Sequence, residues 1–399
     1  MAAALCSVIE NDMERVEKQY DIAVVGAGPA GLAAAIALCK AGGSTVCVGP
    51  APSPAKPDRR TTALLGGSVR FLEALGLWGR LQNAAAPLRA LRIIDRTGRL
   101  FRAPDIVFDA GEIGTEAFGY NIANEVLLAA LLEQLGEAHL ATPGVEALET
   151  EADGVRLKLA AHEAIRARLV IGADGRNSLC RQAAGIAAHS WSYEQTAIVA
   201  NFSHSRPHQN ACTELHFPAG PFTMVPLPGA WSSLVWVERP TEAARLMALD
   251  EKAFAAAIAE RIEGLLGDIE EVSARGAFPL SGLIAHGLVA RRMALVGEAA
   301  HVIPPIGAQG LNLGFRDVAD LVRCLEGAAD PGASEVLTRY ERARRGDVLI
   351  RTFAADALNR TLISGLMPFQ LARGIGLAGL AMVPPLRRLA MRQGMAATA

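Results

Sequence analysis

Paired cysteines are absent from this chain. Its six, Cys6, Cys39, Cys47, Cys180, Cys212 and Cys324, lie far apart with no Cys-x-x-Cys unit. That argues against a disulfide framework or a zinc site and fits a reducing cytoplasm. An excess of one charge is absent too. With 39 Lys and Arg against 41 Asp and Glu, the formal charge is -2, so there is no basic field to hold a nucleic-acid backbone and no nucleic acid is expected as a partner. The N-terminus lacks the basic start and apolar core of an export signal, carrying Glu10, Asp12 and Glu14 instead, and residues 1–19 are expected to be a disordered lead-in. Near the other end, the uncharged stretches Thr361–Ala372 and Gly374–Leu386 are split by Arg373, and each is shorter than the roughly 20 residues a spanning helix needs. Neither a Gly-x-Ser-x-Gly elbow nor a paired-carboxylate motif points to hydrolysis. His204 and His208 are four apart, but Pro207 between them in a polar stretch makes them solvated side chains rather than metal ligands, and no metal is expected.

What is present is a globular composition: 399 residues, 51% hydrophobic, with 39 glycines. At about 150 residues each, that allows two or three domains. A short apolar strand, Asp21–Val25, runs into Gly26-Ala-Gly-Pro-Ala-Gly31 and then the uncharged Leu32–Leu38, which predicts strand, glycine turn and buried helix. A second buried strand, Thr45–Val48, precedes a proline-broken loop that delivers Asp58-Arg59-Arg60. Asn124 reads as the N-cap of an amphipathic helix over Glu125–Gln134. Val145–Thr150 and Val155–Ala160 read as a hairpin, and from Thr196 to Arg239 alternating strands predict a second, antiparallel sheet closed by a helix over Asp250–Leu266.

Gly26-x-Gly28-x-x-Gly31 has the spacing of a dinucleotide turn: one glycine for the bend, one for approach to a pyrophosphate, one for helix-on-strand packing. The acid that usually ends the second strand and holds a ribose is missing, since Gly49 stands there. Arg59 or a backbone group of the 50–60 loop is the expected substitute. A second cluster runs from Gly297 to Gly314, where a buried strand ends in Glu298 and a Pro/Gly loop enters a helix from about Leu311 to Leu325. Amides at that helix start can stabilise negative charge on a bound group.

These two segments, together with Ala173-Asp-Gly-Arg-Asn-Ser178 and Arg181, resemble in order the three signature motifs of single-component FAD-dependent aromatic hydroxylases. Asp58-Arg-Arg-Thr-Thr-Ala-Leu64, Gln309–Asp317, Asp356-Ala-Leu-Asn359 and Pro384-Pro-Leu386 are most similar to the ubiquinone-biosynthesis hydroxylases. The resemblance implies an α/β fold: a Rossmann-like FAD-binding domain over 20–84, 119–185 and 276–352, an inserted antiparallel-sheet substrate domain over 85–118 and 186–275, and a helical C-terminal tail over 353–399.

It further implies that Gly26, Gly28 and Gly31 meet the FAD pyrophosphate, Arg60 the phosphate and ribityl chain, Asn124 the ribityl region, and Val145 the adenine through its backbone. Asp174 belongs to the motif used for FAD and the nicotinamide cofactor alike, and Glu298 stands where the family has Asp against the ribityl hydroxyls. The loop of Pro304, Pro305, Gly307, Ala308, Gln309, Gly310, Leu311 and Asn312 is expected against the flavin ring. NAD(P)H is the implied transient electron donor and O2 the co-substrate, with oxygen delivered from a C4a-hydroperoxyflavin. The chemistry is the cofactor's, so no catalytic side chain is expected. Phe222, Met224, Trp236 and Pro304 are candidate liners of the substrate pocket.

Residues 361–399 hold Arg373, Arg387, Arg388 and Arg392 with no acid among many apolar residues. This suits peripheral contact with the inner face of a membrane, where a polyprenyl phenol substrate resides, or packing on the domain. The expected partners are that substrate and an assembly of ubiquinone-biosynthesis proteins. The competing readings are hydroxylation of a soluble aromatic compound and a flavin-bound scaffold without turnover.

Overall fold

The computed structural model describes residues 17–51, 58–98, 104–305, 307–363, 374, 376, 379, 380 and 382–395. In chain order the elements are β1 (Lys18–Val25), α1 (Pro29–Lys40), β2 (Thr45–Gly49), β3 (Thr61–Leu65), α2 (Gly66–Ala74), α3 (Trp78–Leu81), β4 (Ala85–Pro87), β5 (Ala90–Asp95), β6 (Ile106–Asp109), β7 (Gly119–Ala123), α4 (Asn124–Leu135), β8 (His139–Ala141), β9 (Val145–Thr150), β10 (Val155–Leu159), β11 (Ile165–Gly172) and α5 (Leu179–Ala183). The second half adds β12 (Ala188–His204), β13 (Ala211–Phe217), β14 (Gly220–Leu227), β15 (Trp231–Glu238), α6 (Pro240–Ala248), α7 (Glu251–Ile262), β16 (Ile269–Val272), β17 (Gly276–Ala285), β18 (Val289–Ala290), β19 (Met293–Leu295), β20 (His301–Val302), α8 (Gln309–Leu325), α9 (Ser334–Ile363) and α10 (Pro384–Met395).

The continuous apolar runs become the parallel centre of one sheet, in the order β18-β19-β11-β1-β2-β8, with the β9–β10 hairpin joined to β11. Such strands are apolar throughout because helices cover both faces. Val24, Val48 and Ile171 are fully buried, as are Leu32 to Ala35 of α1. β1 starts at Lys18, inside the span expected as a lead-in, because Lys18 to Tyr20 pair with Ile165 to Ala167. Residues 1–16 lie outside the described residues.

The alternating segments build the second sheet, in the order β20-β17-β12-β15-β14-β13-β5-β6, with β16 paired to β12. β17, expected with the first domain, belongs to this sheet because it pairs with β12 over most of its length. α7 lies against one face: Phe254, Ile258 and Ile262 pack with Ile198, Phe202, Phe222, Met224, Leu234 and Trp236. The other face turns toward the first domain, where Thr61 Oγ1 donates to Ser233 Oγ at 2.8 Å and Asn201 Nδ2 to the Arg59 carbonyl at 3.3 Å. A three-stranded sheet, β3-β7-β4, lies between the two. His204 and His208, read as solvated, are engaged instead. His204 is buried between the Arg206 carbonyl and Ser232, and His208 bonds the Leu227 carbonyl, so both fix the β12–β13 turn.

The long α9 is seated on the second sheet by a chain of polar contacts. Trp191 Nε1 donates to Tyr193 Oη (2.7 Å), which donates to Asp356 Oδ1 (2.6 Å). The Trp191 ring fills the space where a Gly282 side chain would stand, its atoms 2.2 Å from that Cβ position. Gly282→Ala is therefore expected to displace Trp191 and lower stability by about 1–3 kcal/mol, the usual cost of overpacking. Thermal unfolding of the purified variant checks this, and an unchanged midpoint contradicts it.

Candidate active site

The glycine turn is shaped by close approach. A side chain on Gly31 would put its Cβ 1.9 Å from the Gly26 carbonyl, and one on Gly26, at φ +117°, would strike the Ala173 carbonyl at 2.2 Å. A Cβ on Gly28, by contrast, meets nothing within 4 Å, so that backbone opens onto free space at the N-terminus of α1. Neither α1 nor α8 has a side-chain hydrogen bond capping its N-terminus, which leaves amides at both helix starts for a bound anion or carbonyl. The two starts are close: at Gly314 of α8 a Cβ would lie 3.5 Å from Ala30 of α1. Asp174 N abuts Gly26 in the same corner.

Gly49 explains the missing acid physically, because any Cβ there would sit 2.6 Å from Ala27 N. The ribose-binding side chain is sterically excluded rather than merely substituted. Ala141 of β8 pairs with Gly49, and Val145 opens β9 just beyond it. Arg59 is exposed, and residues 52–57 of its loop lie outside the described residues.

A polar group ties three further segments together. Arg60 clasps Asp58 with two 2.7 Å bonds, and Asn124 donates to the same Asp58 at 3.0 Å while accepting from Thr62 Oγ1 at 2.5 Å. Asn124 is thus not a capping side chain. Helix α4 begins at Asn124 itself, with Ala123 in the cap position. The Asp58 contact raises the Arg60 pKa, burial opposes the rise, and the charge of exposed Glu298 adds to it. Arg60 also lies 5.3 Å over the Phe278 ring of the second sheet.

The loop between β20 and α8 leaves the edge of the second sheet and enters a helix of the first domain. Gly307 and Ala308 both have positive φ, +67° and +55°, an outlier for alanine of the kind that collects at functional sites. Pro304 is buried, Pro305 and Gly310 are exposed and Leu311 is half-buried; Ile306 lies outside the described residues.

The side chains of three sets of candidate residues have other partners. The Asn312 side chain is fully engaged and leaves only its backbone for a cofactor: its carbonyl oxygen accepts from Leu65 N and Ser68 Oγ, and its side-chain amide donates to the Ala63 and Ala308 carbonyls. Gln309 likewise bonds Gly307 and Arg351. Phe222, Met224 and Trp236 are at most 2% exposed beneath α7, on the face turned away from the first domain. The side chains facing the other way are their strand neighbours Thr223, Val225 and Val235, each half-buried.

Both carboxylate oxygens of Asp174 are occupied, by Ser178 Oγ and Cys180 N. Arg181 donates to the Ala299 and Arg176 carbonyls, joining the second motif to the third. Missed from the sequence is the buried carboxylate of Asp317, which accepts from Gly297 N at 3.0 Å, His301 Nε2 at 2.6 Å and Arg344 Nε at 2.9 Å. Burial alone would raise this carboxyl; His301, Arg344 and the Gly297 amide outweigh it and hold its pKa below the ordinary value. No local pattern announces the pair, since Arg344 is 27 residues away.

The parallel sheet, glycine turn and paired helix starts define a dinucleotide-binding flavoprotein. Residues 19–349 match the family model described as FAD binding domain, and the chain belongs to that family. It is 37% identical to a ubiquinone hydroxylase of Rhodospirillum rubrum, over 95% of this chain and 90% of the relative. It is 35% identical to the 3-demethoxyubiquinol 3-hydroxylase of Escherichia coli, over 94% and 98%. A solved structure, p-nitrophenol 4-monooxygenase from Pseudomonas putida, shares the fold with a TM-score of 0.77 at 20% identity, covering 96% of this chain and 100% of that one. The enzyme is an FAD-dependent monooxygenase, and the open Gly28 backbone and two uncapped helix starts fit FAD.

Asp317→Ala is expected to leave the buried His301 without its carboxylate and to take from Arg344 one of its three, the others being Asp320 and Asp347, and to cost about 3–5 kcal/mol. Loss of bound FAD alongside a lowered unfolding midpoint is the expected result; an unchanged midpoint contradicts the role given to Asp317.

Proposed function

We propose that this chain hydroxylates the aromatic ring of a polyprenylated phenol in ubiquinone biosynthesis, consuming NAD(P)H and O2. The observation that carries this reading is the match to the two bacterial ubiquinone-pathway hydroxylases over nearly the whole of all three chains. When bound, FAD supplies the electron transfer and oxygen activation.

The protein's own part is binding, orientation and exclusion of water. Gly26, Gly28 and the first amides of α1 would receive the pyrophosphate. Arg60, Glu298 and the Asp58–Asn124–Thr62 group would line the ribityl chain, and the Val145 backbone the adenine. Gly307, Ala308 and the start of α8 would face the pyrimidine edge of the ring. The domain limits given from the sequence serve this division, with 276–285 transferred to the substrate domain. Thr223, Val225 and Val235 take the place of Phe222, Met224 and Trp236 as the far wall, since theirs is the face turned toward Arg59 and Thr61.

Peripheral membrane contact is part of the same proposal. Among the described residues no helix is long and apolar enough to cross a membrane. The inner side of α10 is occupied: Met391 is buried with Ile106, Phe108, Ala110 and Phe118, and Arg387 pairs with Glu112. Its outer side exposes Leu386 and Leu389 beside Arg388 and Arg392, Met382 and Val383 are exposed just before it, and α9 exposes Ile350, Phe353 and Leu358. Apolar side chains with arginines, and no acid within α10, suit an anionic bilayer surface.

Two experiments test the reading. In a strain lacking the gene, a prenylated ring short of one hydroxyl is expected to accumulate by mass spectrometry and to disappear when the gene is restored. An unchanged quinone profile, with redundancy excluded, contradicts the pathway. The double variant Leu386→Glu, Leu389→Glu is expected to keep its FAD and lose sedimentation with anionic vesicles; retained sedimentation contradicts the membrane contact.

A further inference from the structure

The face of the second sheet turned toward the first domain carries one pair of side chains that the cofactor does not account for. His216 Nε2 lies 2.6 Å from Glu214 Oε1 on β13. A carboxylate only accepts, so Nε2 carries the hydrogen. The pair is well buried, with side-chain exposures of 5% for His216 and 16% for Glu214. Among the described residues His216 Nδ1 has no hydrogen-bond partner, and none donates to Glu214 Oε2.

Strand register fixes the direction in which the pair faces. Leu215, between them, packs into the core beneath α7, so Glu214 and His216 project from the opposite face. Across that face Glu214 is level with Ile93 of β5 and Thr223 of β14, Thr223 with Val235, and Val235 with Val199. Glu214 is the one charged member of this row, among apolar side chains and a threonine. A step further along the same face, Asn201 and Ser233 bond Arg59 and Thr61. On the other flank, β5 and β6 are covered by α10, whose Gly394 carbonyl is 3.5 Å from Gln309 of the flavin loop. Glu214 therefore stands on the wall between these two points of closure.

Titratable neighbours on that face are Cys212 and His216 on its own strand and Asp95 of β5, level with His216; β14 presents Thr223 and Pro221, which do not titrate. Burial, with the Glu214 charge added, pushes the Cys212 thiol up to about 12, so Cys212 stays protonated at neutral pH. A carboxylate held in an apolar wall with one oxygen bonded and the other open has the arrangement of a general base oriented by its partner.

We propose that Glu214, oriented by His216, accepts the proton of the substrate's phenolic hydroxyl. The inference rests on the reading of the substrate as a phenol. In the step, the O–H bond breaks, its electron pair stays on the phenolic oxygen, and the proton passes to Glu214 Oε2. The resulting phenolate directs electron density into the ring carbons to be hydroxylated. The proton is returned when the product's hydroxyl forms, so the pair is unchanged over a turnover. Glu214 is the catalytic residue and His216 a positioning residue.

The test compares Glu214→Gln, which keeps the shape and removes the basicity, with wild type and with Glu214→Asp, each carrying FAD. The readouts are hydroxylated product per NAD(P)H consumed and the pH profile of kcat/KM with a short-chain prenyl phenol. At neutral pH the Gln variant is expected to lose about 10²-fold in hydroxylation while still oxidising NAD(P)H. The deficit should close as the pH approaches the phenol's own pKa, about 10, where phenolate forms unaided. The Asp variant should fall between. A Gln variant with wild-type yield and pH profile overturns the proposal, and so does a deficit equal at every pH. If wild type itself hydroxylates no prenyl phenol, the substrate reading has failed instead.

Discussion

Asp317, with no solvent contact, holds both ends of the loop between β20 and α8 that we propose faces the flavin, and most of the candidate site depends on it. One of its oxygens receives the Gly297 amide, where the Glu298 turn begins, and the His301 ring, where the loop leaves the second sheet. The other receives Arg344 of α9. Arg344 lies 2.9 Å from Asp347, Asp347 accepts from Arg351, and Arg351 donates to Gln309, the first residue of α8. Because Asp317 and Gln309 share that helix, the contacts close a circuit around residues 302–308. A charge this deep is tolerable only when it is paired on several sides, and here the pairing partners are the segments that must be held in place.

The second constraint is the parity of the antiparallel sheet. Side chains alternate across a strand, so covering one face with α7 commits every strand at once. Trp236 meets Phe222 edge-on and lies tilted against Phe254 on the covered side. The residues one step along face the first domain, and the wall they form is smaller and more polar: Thr223, Ser233, Asn201 and the Glu214–His216 pair. The large aromatic residues brace this wall from behind, which leaves the other side to smaller and more polar side chains. The C-terminal helix completes the enclosure by packing on β5 and β6 while touching the start of α8.

By itself the sequence determined the strand, glycine turn and helix at Asp21–Leu38, the hairpin at Val145–Leu159, the alternating second sheet and the order of the three motifs. Each rests on rules that act within a few residues: hydrophobic period, backbone freedom at glycine, the missing donor of proline. What the tertiary structure decided is reached over longer spans. Alternation placed Phe222 and Met224 on one face, but only α7 decided that the face was the covered one. A cap was a sound local reading of Asn124, yet its side chain is claimed by Asp58, 66 residues away. The Asn312 side chain is claimed by Leu65 across 247 residues, which leaves only its backbone for a cofactor. Gly49 looked like a missing acid until the Ala27 amide was seen to occupy the space for any side chain. A side chain's partner is set by which surfaces the fold brings together, and that is settled by burial of the whole core rather than by the residues beside it in the chain.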